Sequence, residues 1–216
     1  MSLITLKNII NHFSLFYVNG YPFIMMVWNI ILAMVPFVFF LLFSELWYKT
    51  RFKNLSDKIL GAVIFFFWLI FLPNAPYLIA DIRHLLNFCP VNSYLNVCVS
   101  GAWEIMFFFV YSVFGWAFLT IHLDQMGKIL AEIFGRTASR ALIIAIIPVM
   151  ALGVLFGLTE RFNSWDVFAR PLAIFQYLLR YMTSWEYFRN LLAFTVGYYI
   201  LYFFGTTIFK QKLAKY

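Results

Sequence analysis

The sequence predicts an all-α fold: a polytopic transmembrane helix bundle of about five spanning helices, with interfacial amphipathic helices beside them. Three observations carry this prediction. Of 216 residues, 64% are hydrophobic and 12% charged, about half the charged share of an ordinary soluble domain. The runs Asn8 to Ser44, Ile59 to Ala80, Ala141 to Thr159 and Asn190 to Phe209 contain no Asp, Glu, Lys or Arg, and about 20 such residues suffice for a helix to span the hydrocarbon core. A further run, residues 95 to 121, is interrupted only by Glu104.

The elements form a single integral membrane domain over residues 1–216. The N-terminal segment has a lone Lys7 as its basic region and no small-residue cleavage pattern, so the first apolar segment is expected to stay in the mature chain. Residues 3–18 place Ile9, Ile10, Phe13, Phe16 and Tyr17 on one stripe before the breaker cluster Asn19, Gly20 and Pro22, which predicts an interfacial helix. Spans are expected at about 22–44, 59–78, 95–121, 141–159 and 190–209. Pro171 opens another amphipathic stretch, with Leu172, Phe175, Leu179 and Met182 against Gln176 and Arg180, expected as an outer interfacial helix over about 171–183.

The net charge of +7 would suit nucleic acid in a soluble protein, but here the basic residues fall in loops and set orientation, so no nucleic-acid partner is expected. Lys49, Arg51, Lys53 and Lys58 lie in residues 48–58; Lys128, Arg136 and Arg140 in 122–140; Lys210, Lys212 and Lys215 in the tail. These three segments alternate along the chain. By the positive-inside rule they are cytoplasmic, which puts the N-terminus outside a cell membrane and the C-terminus in the cytoplasm.

That topology brings the two segments richest in polar chemistry to the outer side. Residues 72–85, LPNAPYLIADIRHL, close the second span, and residues 160–171, ERFNSWDVFARP, close the fourth. Asn29 lies about two turns into span one, Asn74 in the outer part of span two, and Glu104 under three turns into span three. Pro73 and Pro76 bracket Asn74 and each removes a backbone donor. The result is either a broken helix lining a protein-buried or wet cavity or a plain helix end anchored by Tyr77 at the interface.

Asp81 and His84, three apart, share a helix face and could bind a metal or relay a proton, given a third ligand from Glu104 or Asp166; solvated or capping roles in an outer loop are the plainer alternative. A charge at the depth of Glu104 is costly by about 2 to 4 kcal/mol unless paired, protonated or wet, with Arg161, Arg83 or His84 as candidate partners and a protonated helix-to-helix hydrogen bond as the alternative. Asn163 or Ser164 followed by Asp166 resembles a helix N-cap, and Arg161 with Asp166 could form a surface ion pair. Arg83, Arg161 and Arg170 beside Trp165 suit a phosphate or carboxylate head group.

Cys89 and Cys98 could form a disulfide near the outer face. Gly153 and Gly157 form a GxxxG face, which leaves open packing within the chain or homo-oligomer formation. No haem, flavin, nucleotide or zinc-finger spacing is present, and neither a cofactor nor a metal is expected. The candidate ligand set is therefore Asn29, Asn74, Asp81, Arg83, His84, Glu104, Arg161, Asn163, Trp165, Asp166 and Arg170.

With these residues in view, LPNAPYLIADIRHL, the later RFNSWDVFARP and the Trp28–Asn29 pair resemble the membrane family called domain of unknown function 1361. The resemblance covers most of the chain and implies a bacterial multi-pass membrane protein with outward-facing motifs; it implies no activity. Where the family pattern carries Gly-Arg-Phe ahead of the second motif, this chain has Gly157, Leu158 and Thr159. Three functions fit. The first is binding or transport of a small anionic ligand or lipid head group, with the bilayer as the other partner. The second is an enzyme on lipid-linked substrates, with Asp81, His84, Glu104 or Asp166 as acid, base or metal ligand. The third is a structural or assembly role.

Overall fold

The computed structural model describes residues 17–18, 20–87 and 102–213. Most of the helix expected at 3–18 lies outside that range, as do Cys89 and Cys98. Its last two residues are not helical. Tyr17–Val18 (β1) pair antiparallel with Tyr21–Pro22 (β2), and Gly20 at φ 74° supplies the left-handed turn that a hairpin this tight requires.

The helices follow as α1 (Phe23–Thr50), α2 (Leu55–Phe71), α3 (Asn74–Ala80) running into a 3-10 helix (Asp81–Asn87), α4 (Ala102–Phe134), α5 (Arg136–Thr159), α6 (Asp166–Ala169), α7 (Pro171–Thr183) and α8 (Trp185–Leu213). Five stretches are long and apolar enough to cross a membrane: Phe23–Thr50, Leu55–Leu85, Ala102–Phe134, Arg136–Thr159 and Trp185–Ile208. The chain is a multi-pass, all-α membrane protein.

Two helices outrun their apolar runs. α1 continues to Thr50, and residues 122–140, read from the sequence as a basic loop, are helical except for Gly135. The segment is rich in good helix formers, and Lys128 pairs with Asp124 one turn back at 2.8 Å. Gly135 alone breaks it, at φ 87°, a backbone region open to glycine. Across this end, Glu132 accepts hydrogen bonds from Trp47 Nε1 at 3.0 Å, Tyr48 OH at 3.1 Å and Arg51 at 3.4 Å. The first two basic segments therefore share one end of the bundle.

The second span does not stop at the prolines. Leu72 and Pro73 keep right-handed helical backbone, so the chain kinks and continues instead of ending at the interface. The kink rearranges the hydrogen bonds. Ala75 N–H turns to Leu72 O (3.2 Å), three residues back, while Tyr77 N–H keeps the regular helical partner Pro73 O (3.1 Å). Phe71 O thereby loses its normal partner, and the Asn74 side chain donates to it at 2.8 Å. An unpaired carbonyl would be costly in an apolar setting. Asn74 removes that cost from inside the break.

α3 is wedged among its neighbours, with Ala75 and Leu78 fully buried. Glycines on both flanking helices let it in: a Cβ on Gly115 of α4 would fall 2.8 Å from Leu78 Cβ, and one on Gly153 of α5 would fall 2.5 Å from Pro73 Cγ. A Cβ on Gly157 would meet Tyr77 Cε2 at 2.9 Å. Within the chain, the GxxxG face packs on the proline break itself. A second core of Val18, Met26, Ala33, Ala75, Leu78, Phe108 and Tyr111 joins the hairpin to α1, α3 and α4.

α7 is amphipathic and starts on Pro171. Tyr181 is buried against the bundle, while Leu172, Phe175, Leu179 and Met182 are exposed on the other side, a surface suited to lipid.

Candidate functional site

A cavity of about 490 Å³ sits at the proline break. Its lower wall is apolar: Leu32 from α1, Phe66, Leu69 and Ile70 from α2, and Val149 and Leu152 from α5. Its upper wall gathers Tyr21, Trp28, Asn29, Asn74, Tyr77, Arg161, Asn163 and Ser164. Met25, Trp28, Phe66 and Val149 are at once wall residues and exposed, so the cavity meets the lateral, lipid-facing surface of the bundle. Large exposed apolar side chains on a cavity rim suit the entry of an apolar tail.

The polar wall is held by its own hydrogen bonds, and these decide what it can still offer. Asn74 Nδ2 donates to Phe71 O and to Ser164 Oγ (2.9 Å). Asn29 Nδ2 donates to Tyr21 OH (2.9 Å) and to Asp81 Oδ2 (3.2 Å). A side-chain amide has two N–H donors, so each Asn has spent both and keeps its carbonyl oxygen as an acceptor. Ser164, Tyr21 and Tyr77 accept from Asn74, Asn29 and Arg83 respectively, and each retains its own O–H to donate. Burial raises the Tyr21 phenol above its ordinary range, with the Asp81 carboxylate adding to the effect, so Tyr21 stays protonated. Arg161 is the one cation on the wall among the described residues, and it holds a left-handed backbone at φ 58°, uncommon for a residue with a Cβ.

Behind this wall lies Asp81, a candidate ligand whose plainer alternative was a solvated or capping place in an outer loop; it is fully buried. The helix runs past the prolines into the 3-10 turn and carries Asp81 into the bundle instead of out of it. Its Oδ2 accepts from Asn29 and from Tyr111 OH at 3.3 Å. Its Oδ1 has no hydrogen bond among the described residues, with Arg83 and His84 each 3.9 Å away. Arg83 instead donates to Tyr77 OH at 3.2 Å and reaches Leu158 O at 3.5 Å, while the His84 ring stacks on Tyr21 at 4.0 Å. Asp81, Arg83 and His84 thus form a second layer, joined to the cavity through Asn29, Tyr21 and Tyr77. Neither Glu104 nor Asp166 completes a metal-ligating group there among the described residues.

The remaining expected residues lie elsewhere. Asp166 braces the 160s loop: its Oδ2 accepts from Asn163 N–H at 2.7 Å, and Arg170 engages both oxygens, at 3.0 and 2.8 Å. That bidentate contact, the larger cause, and the Asn163 bond hold its carboxyl below the usual range. The expected ion pair with Arg161 is replaced by this one. The expected cap is also replaced: Trp165 is the N-cap of α6 and its indole, a donor only, makes no side-chain cap bond, while Ser164 is engaged by Asn74. Arg170 lies 4.8 Å over the Phe162 ring, and Trp165 is exposed; neither is on the cavity wall. Glu104 sits in the first turn of α4, away from the cavity and not ion-paired to Arg83, His84 or Arg161 among the described residues.

The sequence model of the family described as protein of unknown function (DUF1361) matches residues 28–205. The chain belongs to this family. No curated protein and no solved structure matches it. The DUF1361 match begins at Trp28 and takes in most of the wall, including Asn29, Asn74, Arg161 and Asn163; Tyr21 and the hairpin precede it.

Tyr21, Tyr77, Tyr111 and Ser164 are the site residues that the sequence reading did not assign. Nothing distinguishes the tyrosines in a chain with 13 of them, where Tyr near membrane ends is ordinary, and Ser164 stood out only as a candidate helix cap. Tyr77 stood out only as an expected interfacial anchor.

Proposed function

We propose that this protein binds an amphiphile with an anionic, hydroxyl-bearing head group, in a cavity facing the outside of a cell membrane. One observation supports the reading above others: the upper wall combines Arg161 with the unspent carbonyl oxygens of Asn29 and Asn74 and the hydroxyls of Ser164 and Tyr77, over an apolar floor. A guanidinium suits a phosphate or carboxylate. Amide oxygens suit the hydroxyls of a polyol, and the floor suits an acyl chain. The outward orientation rests on the positive-inside reading and on the basic segments that share the opposite end of the bundle.

The shared chemistry, a polyol phosphate, could arrive on a membrane lipid or as a free solute. The test uses purified protein in neutral detergent, offered dioleoyl phosphatidylglycerol, dioleoyl phosphatidylcholine or free glycerol phosphate, with retention read by native mass spectrometry. Retention of phosphatidylglycerol alone supports the lipid source; retention of glycerol phosphate supports the soluble one. Arg161→Gln should weaken either by about tenfold or more, the value of one charge-assisted hydrogen bond. Equal retention of the two lipids, unchanged by Arg161→Gln, would exclude the reading.

A further inference from the structure

We propose that Asp81 is a proton-binding group linked to the cavity, so that an anionic ligand and one proton bind together. This rests on the function proposed above and adds the ionic partner of the same site. Asn29 links the two. Its single amide group both lines the cavity and donates to Asp81 Oδ2 at 3.2 Å. A head group whose anion sits at Arg161 and whose hydroxyl donates to the Asn29 carbonyl oxygen therefore lies one side chain from a fully buried carboxyl. Two negative charges so placed oppose each other in a medium less polar than water.

The surroundings of Asp81 do not close it into a fixed ion pair. From its own turn, Arg83 and His84 approach Oδ1 only to 3.9 Å, beyond hydrogen-bond reach, and Arg83 is engaged by Tyr77 OH of α3 and Leu158 O of α5. From α4, Tyr111 OH shares its one hydrogen between Oδ2 and Met26 O, each at 3.3 Å. Tyr21 of β2 meets the carboxyl through Asn29, and Arg161, beyond α5, acts through space. Both neutral donors go to Oδ2, and Oδ1 has none among the described residues. Oδ1 is thus the atom on which an O–H bond forms, with the proton taken from the aqueous phase. With the carboxyl neutral, Arg161 is free of a competing negative charge and the head group gains its full attraction.

Linkage makes the coupling reciprocal. Two charges about 8 Å apart, at an effective dielectric constant of about 20, correspond to roughly thirtyfold in affinity. Labelled dioleoyl phosphatidylglycerol binding to the purified protein in neutral detergent should tighten by that factor as pH falls from about 8 to about 5. Asp81→Asn should hold the tight, acid-side affinity at both pH values. His84→Gln should keep the wild-type slope, which separates the carboxyl from the imidazole, whose protonation would act in the same sense. Should Asp81→Asn not fold, Asp81→Glu keeps a titrating carboxyl, and the C=O band gained on acidification in infrared difference spectra must shift in that variant. A slope that survives Asp81→Asn, a slope abolished by His84→Gln, or an infrared band unmoved by Asp81→Glu overturns the inference and leaves the binding site standing. Absence of binding at every pH removes the site and the coupling together.

Discussion

Replacing Gly153 with alanine should loosen the contact on which the cavity is built. The new Cβ would lie 2.5 Å from Pro73 Cγ and 3.0 Å from Pro73 Cβ, well inside van der Waals contact, and a proline ring cannot rotate away. Overpacking of this kind costs about 1 to 3 kcal/mol. Against it stands the gain from removing a glycine in mid-helix, about 1 kcal/mol. The net loss is about 0 to 2 kcal/mol, or up to about 8 °C in Tm for a chain of this size. The control is Gly197→Ala in α8, where an added Cβ meets nothing within 4 Å; there only the propensity term acts and stability should hold or rise. Both variants would be heated in one detergent at one scan rate, since unfolding of such proteins is commonly irreversible. If Gly153→Ala melts with or above Gly197→Ala, α5 does not rest on the proline break as described.

Three further outcomes follow from the same geometry. Asn74→Ala strands Phe71 O in an apolar setting and frees Ser164, so stability in a thermal assay should fall by about 1 to 3 kcal/mol; a stable variant that has lost phosphatidylglycerol would instead make Asn74 chiefly a ligand contact. Asp166 has its folded-state pKa lowered by Arg170 and Asn163, so its contribution is fully present above the unfolded value of about 3.9 and is lost as pH falls through the lower folded value. Hydrogen-exchange protection factors over residues 160–170, taken relative to the intrinsic rate at each pH, should fall below about pH 4 in the wild type, while in Asp166→Asn they should be low already at neutral pH and insensitive to acid. Leu172→Glu on the exposed face of α7 should leave detergent stability unchanged but weaken protection of α7 in lipid nanodiscs; equal protection would place that face away from lipid.

The five spans were readable because membrane helices advertise themselves by the absence of charge, which a sequence displays directly. Their ends were less so. Past residue 121 of α4 the composition turns mixed, yet Gly135 is the only break before α5, so the helix continues beyond the apolar run. The cavity wall was partly legible: Asn29, Asn74, Arg161 and Asn163 stand out as polar groups at the outer ends of apolar runs. Which of the three arginines reaches the cavity was not, because Asp166 claims Arg170, and Tyr77 and Leu158 claim Arg83. Asp81 was misplaced for a related reason. Two prolines left open a broken helix or a helix end, with the span closing at about residue 78, but Asn74 supplies the hydrogen bond the kink removes, and the helix carries Asp81 inward.

The most direct test of an outward-facing head-group site is the reactivity of a single cysteine at Ser164, made as Ser164→Cys in a background lacking Cys89 and Cys98. A membrane-impermeant maleimide should label it in intact cells, and in purified protein added phosphatidylglycerol, but not phosphatidylcholine, should slow that labelling. Labelling only after the cells are broken open, or a rate indifferent to either lipid, would contradict the account.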